Sequence, residues 1–399
     1  MRTFVSSITS SRLLLLWVLS SLPSAGRAGY LPDEIQVHGF LAQSFFHTSD
    51  NNLFGQSIDG VSLGITEVGL NSSYHPYERL HFAIQGLYRR AGDIDRGSFR
   101  VDYGLADFTL WQHASGRIGI RGGRVKIPLG LYNETRDVAF THPTILLPQG
   151  NYFERSRSLL TSGDGGQFYA EQLTDYGNFV FKFNYVLPLG NNHELRSILL
   201  GPQALGEFSA KPTIVTQLSY DLNGGKYVFA VSYADLQLDY RPVAGDIVGA
   251  GTSFVRPLIL SAQYNGEKLT LTAEYNYRHN VTKGYGGPDR RFATESWYLE
   301  GSYRLLPNWQ ATVRFDTIDG NTNSRRGSAR LERLGLPRHA AFAQDWTFGL
   351  RWDINESWMV RGEYHRVHGT LWLPQADNPD RLRTTQDWDV YGMQVSFRF

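Results

Sequence analysis

From residue 30 onward, apolar and polar positions alternate with period two. Leu269, Leu271, Ala273, Tyr275 and Tyr277 interleave with Thr270, Thr272, Glu274, Asn276 and Arg278. One apolar and one polar face is the pattern of a half-buried β-strand. The same test predicts strands at 35–46, 62–74, 80–91, 98–112, 117–127, 164–174, 178–187 and 213–222, then at 226–240, 256–265, 268–280, 294–305, 309–319, 344–354, 358–369 and 388–399. The chain therefore reads as all-β with sixteen strands. Most have about 10 to 13 residues, nearer the roughly 9–11 of a tilted membrane strand than the 5–6 of an average globular one.

The connections alternate between short and long. The short ones are 75–79, 113–116, 175–177, 223–225, 266–267, 306–308 and 355–357, and they carry tight-turn residues such as Asn223-Gly224-Gly225 and Pro307-Asn308. The long ones are 47–61, 92–97, 128–163, 188–212, 241–255, 281–293, 320–343 and 370–387. Sorting loops by end in this way belongs to a transmembrane antiparallel β-barrel with short periplasmic turns and long outer loops. Only a closed barrel lets strands satisfy every backbone group within lipid. Charges fall on one phase of the alternation, as with Arg314 and Asp316 between Val313 and Phe315. That phase must face a wet lumen, because a charge on the lipid side costs about 2–4 kcal/mol at midplane.

Composition narrows the classes further. There is no cysteine, which excludes a disulfide scaffold and thiolate metal sites, and 39 Lys and Arg balance 38 Asp and Glu, so nucleic acid is not an expected partner. Residues 1–28 carry Arg2 and Arg12, the apolar run Leu13–Leu19, and small residues ending at Gly26-Arg27-Ala28. This is the build of a signal peptide, and the expected organisation is a leader at 1–28 followed by a barrel at 29–399. Its removal takes three arginines and no acid, turning a net charge of +1 into −2.

At the other end Tyr391, Met393, Val395, Phe397 and Phe399 alternate with Gly392, Gln394, Ser396 and Arg398, and the chain stops on Phe399. This resembles the closing strand of bacterial outer-membrane proteins, whose terminal aromatic is read by the barrel-assembly machinery. The longest connection, 128–163, follows Gly123-Arg124-Val125-Lys126-Ile127-Pro128-Leu129-Gly130-Leu131 and contains Glu154-Arg155-Ser156. These segments resemble the corresponding region of the phosphate-selective porin O and P family, over roughly residues 100–165. The resemblance implies a homotrimeric outer-membrane porin of a Gram-negative bacterium, a third long loop folded inward, and a water-filled channel for ions and small hydrophilic solutes, with a basic constriction that prefers anions. The loop departs from that pattern: it has no lysine, and Arg136, Arg155 and Arg157 are offset by Glu134, Asp137 and Glu154.

The expected constriction comprises Arg117, Arg121, Arg124, Lys126, Glu134, Arg136, Asp137, Glu154, Arg155 and Arg157. Strict alternation would set Arg121 and Arg124 on opposite faces, and a bulge at Gly122-Gly123 would bring both inward. Four cations would then face a loop of mixed sign, or simply pair with its acids to pin it. A plugged structural or adhesion barrel whose outer loops bind partners is the alternative. A hydrolase built on Ser156 or Ser158 with His142 and Asp137 is a weaker third reading, since no Gly-x-Ser-x-Gly elbow accompanies them. No cofactor and no metal is expected: His365 and His368 point to opposite faces of a strand, and Asp387 and Asp389 read as rim carboxylates.

Overall fold

A computed structural model describes residues 34–189, 193–201, 204–325 and 336–399. The expected signal peptide lies outside these residues. The strands are β1 (Ile35–Thr48), β2 (Ile65–Tyr77), β3 (Leu80–Ala91), β4 (Asp95–His113), β5 (Gly116–Lys126), β6 (Ser162–Thr174), β7 (Gly177–Pro188), β8 (Glu207–Ala210) and β9 (Thr213–Leu222). They continue as β10 (Tyr227–Arg241), β11 (Gly251–Asn265), β12 (Leu269–Gly284), β13 (Arg290–Leu306), β14 (Trp309–Asp319), β15 (Phe342–Asp353), β16 (Trp358–Gly369) and β17 (Asp387–Arg398).

Each strand pairs antiparallel with its neighbours, and β1 pairs with β17 to close the sheet. Short β8 and β9 both pair with β10 and form one barrel strand interrupted at Lys211-Pro212, where proline has no N–H to give the ladder. The result is a closed sixteen-strand barrel. Closure is completed by Phe399, whose N–H donates to the Gly39 carbonyl at 3.0 Å while its own carbonyl accepts from the Gly39 N–H at 3.2 Å. A Cβ on Gly39 would lie 2.5 Å from the Phe399 ring, so the glycine leaves room for the ring where it crosses the seam.

The outer phase is apolar and exposed, as for Phe229, Val231, Leu258, Leu260, Trp346 and Phe348. Near the short-turn end aromatic pairs lie along it, Trp309 stacked on Trp352 at 5.4 Å and Trp358 tilted against Phe397 at 4.8 Å. Such rings form the belt that suits a membrane–water boundary. The inner phase carries Gln85, Glu274, Glu300, Arg314, Glu363 and Gln394, all buried.

Three expectations need correction. The connection expected at 92–97 is only 92–94, because β4 begins at Asp95, three residues before its expected start, so the alternation of loop lengths has an exception. The connection expected at 188–212 holds a helix, His193–Leu200, and β8. The register runs unbroken through Gly122 and Gly123 against both β4 and β6, so the expected bulge is absent; β4 instead shifts between Thr109 and Trp111. Arg124 therefore stays on the outer phase, opposite Gly104 and Asp164.

Candidate functional site

The segment 127–161 between β5 and β6 hydrogen-bonds to inner-phase side chains around most of the barrel. It leaves β5 through Lys126 and turns at Gly130, which has φ +68°; a Cβ there would meet the Tyr152 hydroxyl at 2.5 Å. The N–H of Gly130 donates to Ser232 on β10 at 3.1 Å. Glu274 on β12 accepts from the Leu131 N–H at 2.9 Å and from the hydroxyls of Tyr152, Ser261 and Tyr298 at 2.6, 2.6 and 2.9 Å. Farther round, Ser296 donates to the Gly150 carbonyl at 2.9 Å, and Arg314 donates to Thr144 at 2.8 Å and to the Leu146 carbonyl at 3.0 Å. Glu363 on β16 accepts from the N–H groups of Ile145 and Leu146, and Arg361 donates to the carbonyls of His142 and Thr144. A segment whose only regular pieces are short helical turns at 139–141 and 154–160 thus has many of its other buried backbone groups satisfied by wall side chains.

The opposite side of the segment meets β2, β3 and β5 through a buried charge cluster. Arg157 pairs with Glu67 at 2.8 Å, with Glu154 at 3.2 Å and with Asp137. Arg89 pairs with Glu154 at 2.5 Å and Glu67 at 3.0 Å, and Arg136 with Glu154 at 2.7 Å. Lys126 bridges Asp102, at 2.6 Å, and Asp137. Burial raises the Asp137 and Glu154 carboxyls, but the surrounding bases outweigh it and hold both below the usual range: Lys126 and Arg157 for Asp137, Arg89, Arg157 and Arg136 for Glu154. Every base in the cluster has a carboxylate partner, so it presents no free cation.

The predicted constriction residues are consequently divided. Lys126, Arg136, Asp137, Glu154 and Arg157 come together. Arg117 pairs with Glu171 at 2.8 Å, Arg121 with Asp107 at 2.8 Å while lying 4.6 Å over the Tyr169 ring, and Arg124 with Asp164 at 2.8 Å on the outer phase. Glu134 pairs with Lys182 of β7 at 2.6 Å. Arg155 pairs with Glu194 of the helix at 2.5 Å, away from the other loop bases. The expected single wall of four cations facing the loop does not form, because each of the first three is neutralised by a strand carboxylate beside it. Sequence reasoning missed Glu67, Arg89, Asp102, Glu194, Glu274, Arg314, Arg361 and Glu363. Apart from Glu194, which lies on the helix, their one local signal is a charge on the inner side of a strand.

Ser156, His142 and Asp137 do not assemble as a hydrolytic triad. Ser156 donates to the Phe153 carbonyl, Nδ1 of His142 lies 2.7 Å from the Thr144 carbonyl, and Asp137 is held by Lys126 and Arg157. Burial, then Arg361, pushes His142 down to about 3, which leaves it neutral at physiological pH.

Toward the long-loop end an apolar cluster fills the space between segment and wall. Ile145, Leu146 and Phe153 pack with Phe46, Leu53, Phe54 and Trp388, and with Trp372 and Leu373 from the connection 370–386. A second cluster joins Leu195 of the helix to Leu129, Leu159 and the inner-phase residues Ala234, Leu236 and Leu238 of β10. Glu194 also accepts from the N–H of Ala376 at 2.6 Å.

The connection 370–386 is tied to the first loop by paired amides. Asn378 Nδ2 donates to the Asn52 carbonyl at 2.7 Å, and Thr385 N–H donates to Asn51 at 2.9 Å. Beside them Asp377 accepts from the N–H groups of Gly55 at 3.1 Å and Asp93 at 3.2 Å, while its second oxygen has no partner. Burial pushes this carboxyl up to about 7, against the partial help of those N–H groups. A raised folded-state value means that the latch is favoured at low pH, and this advantage is lost as pH rises from about 4 to about 7. Amide protection across 370–386, taken relative to the intrinsic exchange rate at each pH, should accordingly be higher at pH 5 than at pH 8, and Asp377→Asn should remove that difference; an equal pH dependence of protection in the variant would show that Asp377 is not its source.

One cavity is lined partly by the segment and another lies away from it. The first, of about 480 Å³, lies toward the short-turn end, lined by Tyr132, Phe140, Gln263, Asn265, Gln310 and Arg351. The second, of about 740 Å³, lies at the long-loop end between Asp93–Ser98 and Gln375–Pro379.

No family profile matches the chain, and no curated protein matches it in sequence. Its fold is found among solved outer-membrane proteins. The outer membrane channel DcaP of Acinetobacter baumannii is 10% identical, with TM-score 0.59 over 94% of this chain and 100% of that one. The outer-membrane-expressed OmpT of Vibrio cholerae is 11% identical, with TM-score 0.56 over 92% and 99%. An anion-selective porin from Comamonas acidovorans is 13% identical, with TM-score 0.55 over 91% and 98%. At these identities the likeness establishes the fold.

Proposed function

We propose that this outer-membrane barrel is a porin: a diffusion pore for ions and small hydrophilic solutes whose constriction is the segment 127–161. The carrying observation is a closed sixteen-strand wall with polar inner positions and a cavity of about 480 Å³ between that segment and the wall. A barrel of sixteen strands is wide enough for an aqueous path even with a loop inside. The segment is held by wall side chains from β2 to β16, so it defines a fixed aperture rather than a swinging lid.

The kinship with phosphate-selective porins suggested by Lys126, Pro128 and Gly130 extends, in this reading, to loop path and barrel size. A phosphate ladder at Lys126, Arg136 and Arg157 is disfavoured, because the carboxylates beside them already neutralise their charge. A homotrimer and delivery by the barrel-assembly machinery through the Tyr391–Phe399 strand belong to the same proposal; the outward exposure of Tyr391, Met393 and Phe399 is compatible with both.

The apolar cluster around Trp372 and Phe153 favours a second reading, a barrel closed at its mouth whose outer loops engage partners. Single-channel recording of the refolded protein in planar bilayers separates the two. A steady open current supports the pore, whereas a folded, heat-modifiable barrel that passes no current supports the plug.

A further inference from the structure

The cavity between the segment 127–161 and the wall has two unlike sides. Its wall side comes from the inner phase of β11 to β14. Asn265 stands across from Thr270, Thr270 across from Ser302, and Ser302 across from Thr312, so these side chains form one unbroken row over four strands. Gln263 lies two residues from Asn265 on the same face, Gln310 lies two residues from Thr312, and both line the same cavity. Asn265 Nδ2 donates to Gln263 Oε1 at 3.2 Å, and the hydroxyls of Ser302 and Thr312 are 2.9 Å apart. Thr270 and Gln310 are only half-buried, and among the described residues neither side chain has a hydrogen-bond partner. Hydroxyl and amide groups on this side are therefore open to whatever occupies the cavity.

The side facing it is supplied by the segment and is largely apolar, with Leu131, Phe140 and Pro143 on the lining. Phe140 is held in place: its carbonyl accepts from Arg351 at 3.3 Å, and the guanidinium of Arg398, which is not on the lining, lies 4.3 Å from its ring centroid. The charges on the lining are already matched. Glu300 pairs with Arg314 at 3.4 Å, Arg351 turns its guanidinium to Asp353 at 2.9 to 3.1 Å, and His142 is neutral at physiological pH. An ion entering here would shed hydration without meeting a free counter-charge. A hydroxylated solute would exchange its water contacts for amides and hydroxyls, which both donate and accept. The volume of about 480 Å³ is in the range of small-molecule sites, which likewise combine apolar surface with a few placed polar groups.

We propose that this cavity is a binding position for a neutral polyhydroxylated solute of the simple-sugar class. The row from Asn265 to Ser302, with Gln263 and Gln310, takes the hydroxyls, and Leu131, Phe140 and Pro143 cover the C–H face. The barrel then favours neutral solutes over ions of either sign, the reverse of the anion preference implied by the resemblance to phosphate-selective porins. The site rests on the pore reading for its role in transport, but not for binding itself.

Binding and passage are measured separately with glucose, gluconate and glucosamine, which share a hydroxylated skeleton and differ in charge. Saturation-transfer NMR of the protein folded in a sugar-free zwitterionic detergent should show saturable binding of glucose, and binding weaker by about threefold or more for the two ions. The double variant Thr270→Val, Gln310→Leu keeps side-chain volume but deletes two hydrogen-bonding groups, so glucose affinity should fall by about threefold or more. Phe140→Ala should weaken it from the other side, and it is read by the same criterion if the double variant does not give a heat-modifiable barrel. Uptake of the three labelled solutes into proteoliposomes then reads the pore. The site is overturned if the native protein does not bind glucose, if either ion binds as tightly, or if affinity is unchanged in the folded variants. Glucose binding by a barrel that admits no solute would keep the site and overturn the pore; uptake of all three without binding would do the opposite.

Discussion

Arg157→Met should leave the barrel closed but free the segment 127–161 from the β2–β3 wall. The substitution keeps the side chain's approximate volume and deletes the cation shared by Glu67, Asp137 and Glu154, all of them buried. Breaking a buried ion pair from one side costs about 3–5 kcal/mol, because the surviving charges remain desolvated. Arg89, Arg136 and Lys126 still hold part of that charge, so the lower end of the range applies. Limited proteolysis should cut within 128–161 in the variant under conditions that spare the native protein, with heat-modifiability retained. The pH response should change as well. In the native protein Asp137 and Glu154 are held below the usual carboxylate range, so they stabilise the docked segment at neutral pH, and that contribution is lost only when pH falls well below 4. In the variant the acid transition should move up toward the ordinary carboxylate value. Equal proteolysis of the two proteins would show that the wall contacts to Glu274, Arg314 and Glu363 suffice without the charge cluster.

The second large effect is expected at the mouth. Trp372 and Leu373 are almost fully buried against Phe153, Leu146 and Trp388, and the Trp372 ring lies 5.2 Å from that of Trp388. Truncating a buried Trp to Ala typically costs about 3–5 kcal/mol and a Leu about 2–5. The double variant Trp372→Ala, Leu373→Ala removes the apolar contacts that hold the connection 370–386 down, while β16 and β17 keep their ladder. Open-channel conductance should rise by about twofold or more, because the aperture at the long-loop end widens. An unchanged conductance would place the narrowest point at the segment 127–161 alone.

Strand phase and barrel closure were legible because both depend on local alternation. The run from Leu269 to Arg278 shows its two faces without reference to any other strand, and so does Tyr391–Phe399. Pairing partners were not legible. Arg157 meets Glu67 ninety positions away, and nothing near either residue announces the other. The expected bulge failed because Gly122 and Gly123 permit a kink without requiring one; Arg124 is accommodated on the outer phase by Asp164 and by its place near the end of β5, where a charge can reach the membrane–water boundary. The helix His193–Leu200 went unseen because eight residues between polar flanks give little periodicity. Its docking place left a trace nevertheless: β10 has apolar residues on both phases, Phe229 and Val231 outside and Ala234, Leu236 and Leu238 inside, and an apolar inner face needs a cover. Recognising that signal requires asking of each strand whether its polar phase is polar throughout.

The seam between β1 and β17 brings residue 399 into backbone contact with residue 39. The ring of sixteen strands therefore has no intrinsic first member, and the order in which they are encoded is separable from the order in which they stand. Linking position 399 to position 34 by a few flexible residues and opening the tight turn at 223–226 would begin the polypeptide at β10 and end it at β9, with all strand neighbours unchanged. In such a permuted chain the two walls that hold segment 127–161 would be synthesised in the reverse order, with Glu274, Arg314 and Glu363 preceding the segment and Glu67 and Arg89 still preceding it. The anchors on β2, β3, β10, β12, β14 and β16 would then be available before the segment emerges, with Lys182 of β7 and Glu194 of the helix following it, which makes the rearranged gene a direct probe of whether docking of that segment limits the rate of folding.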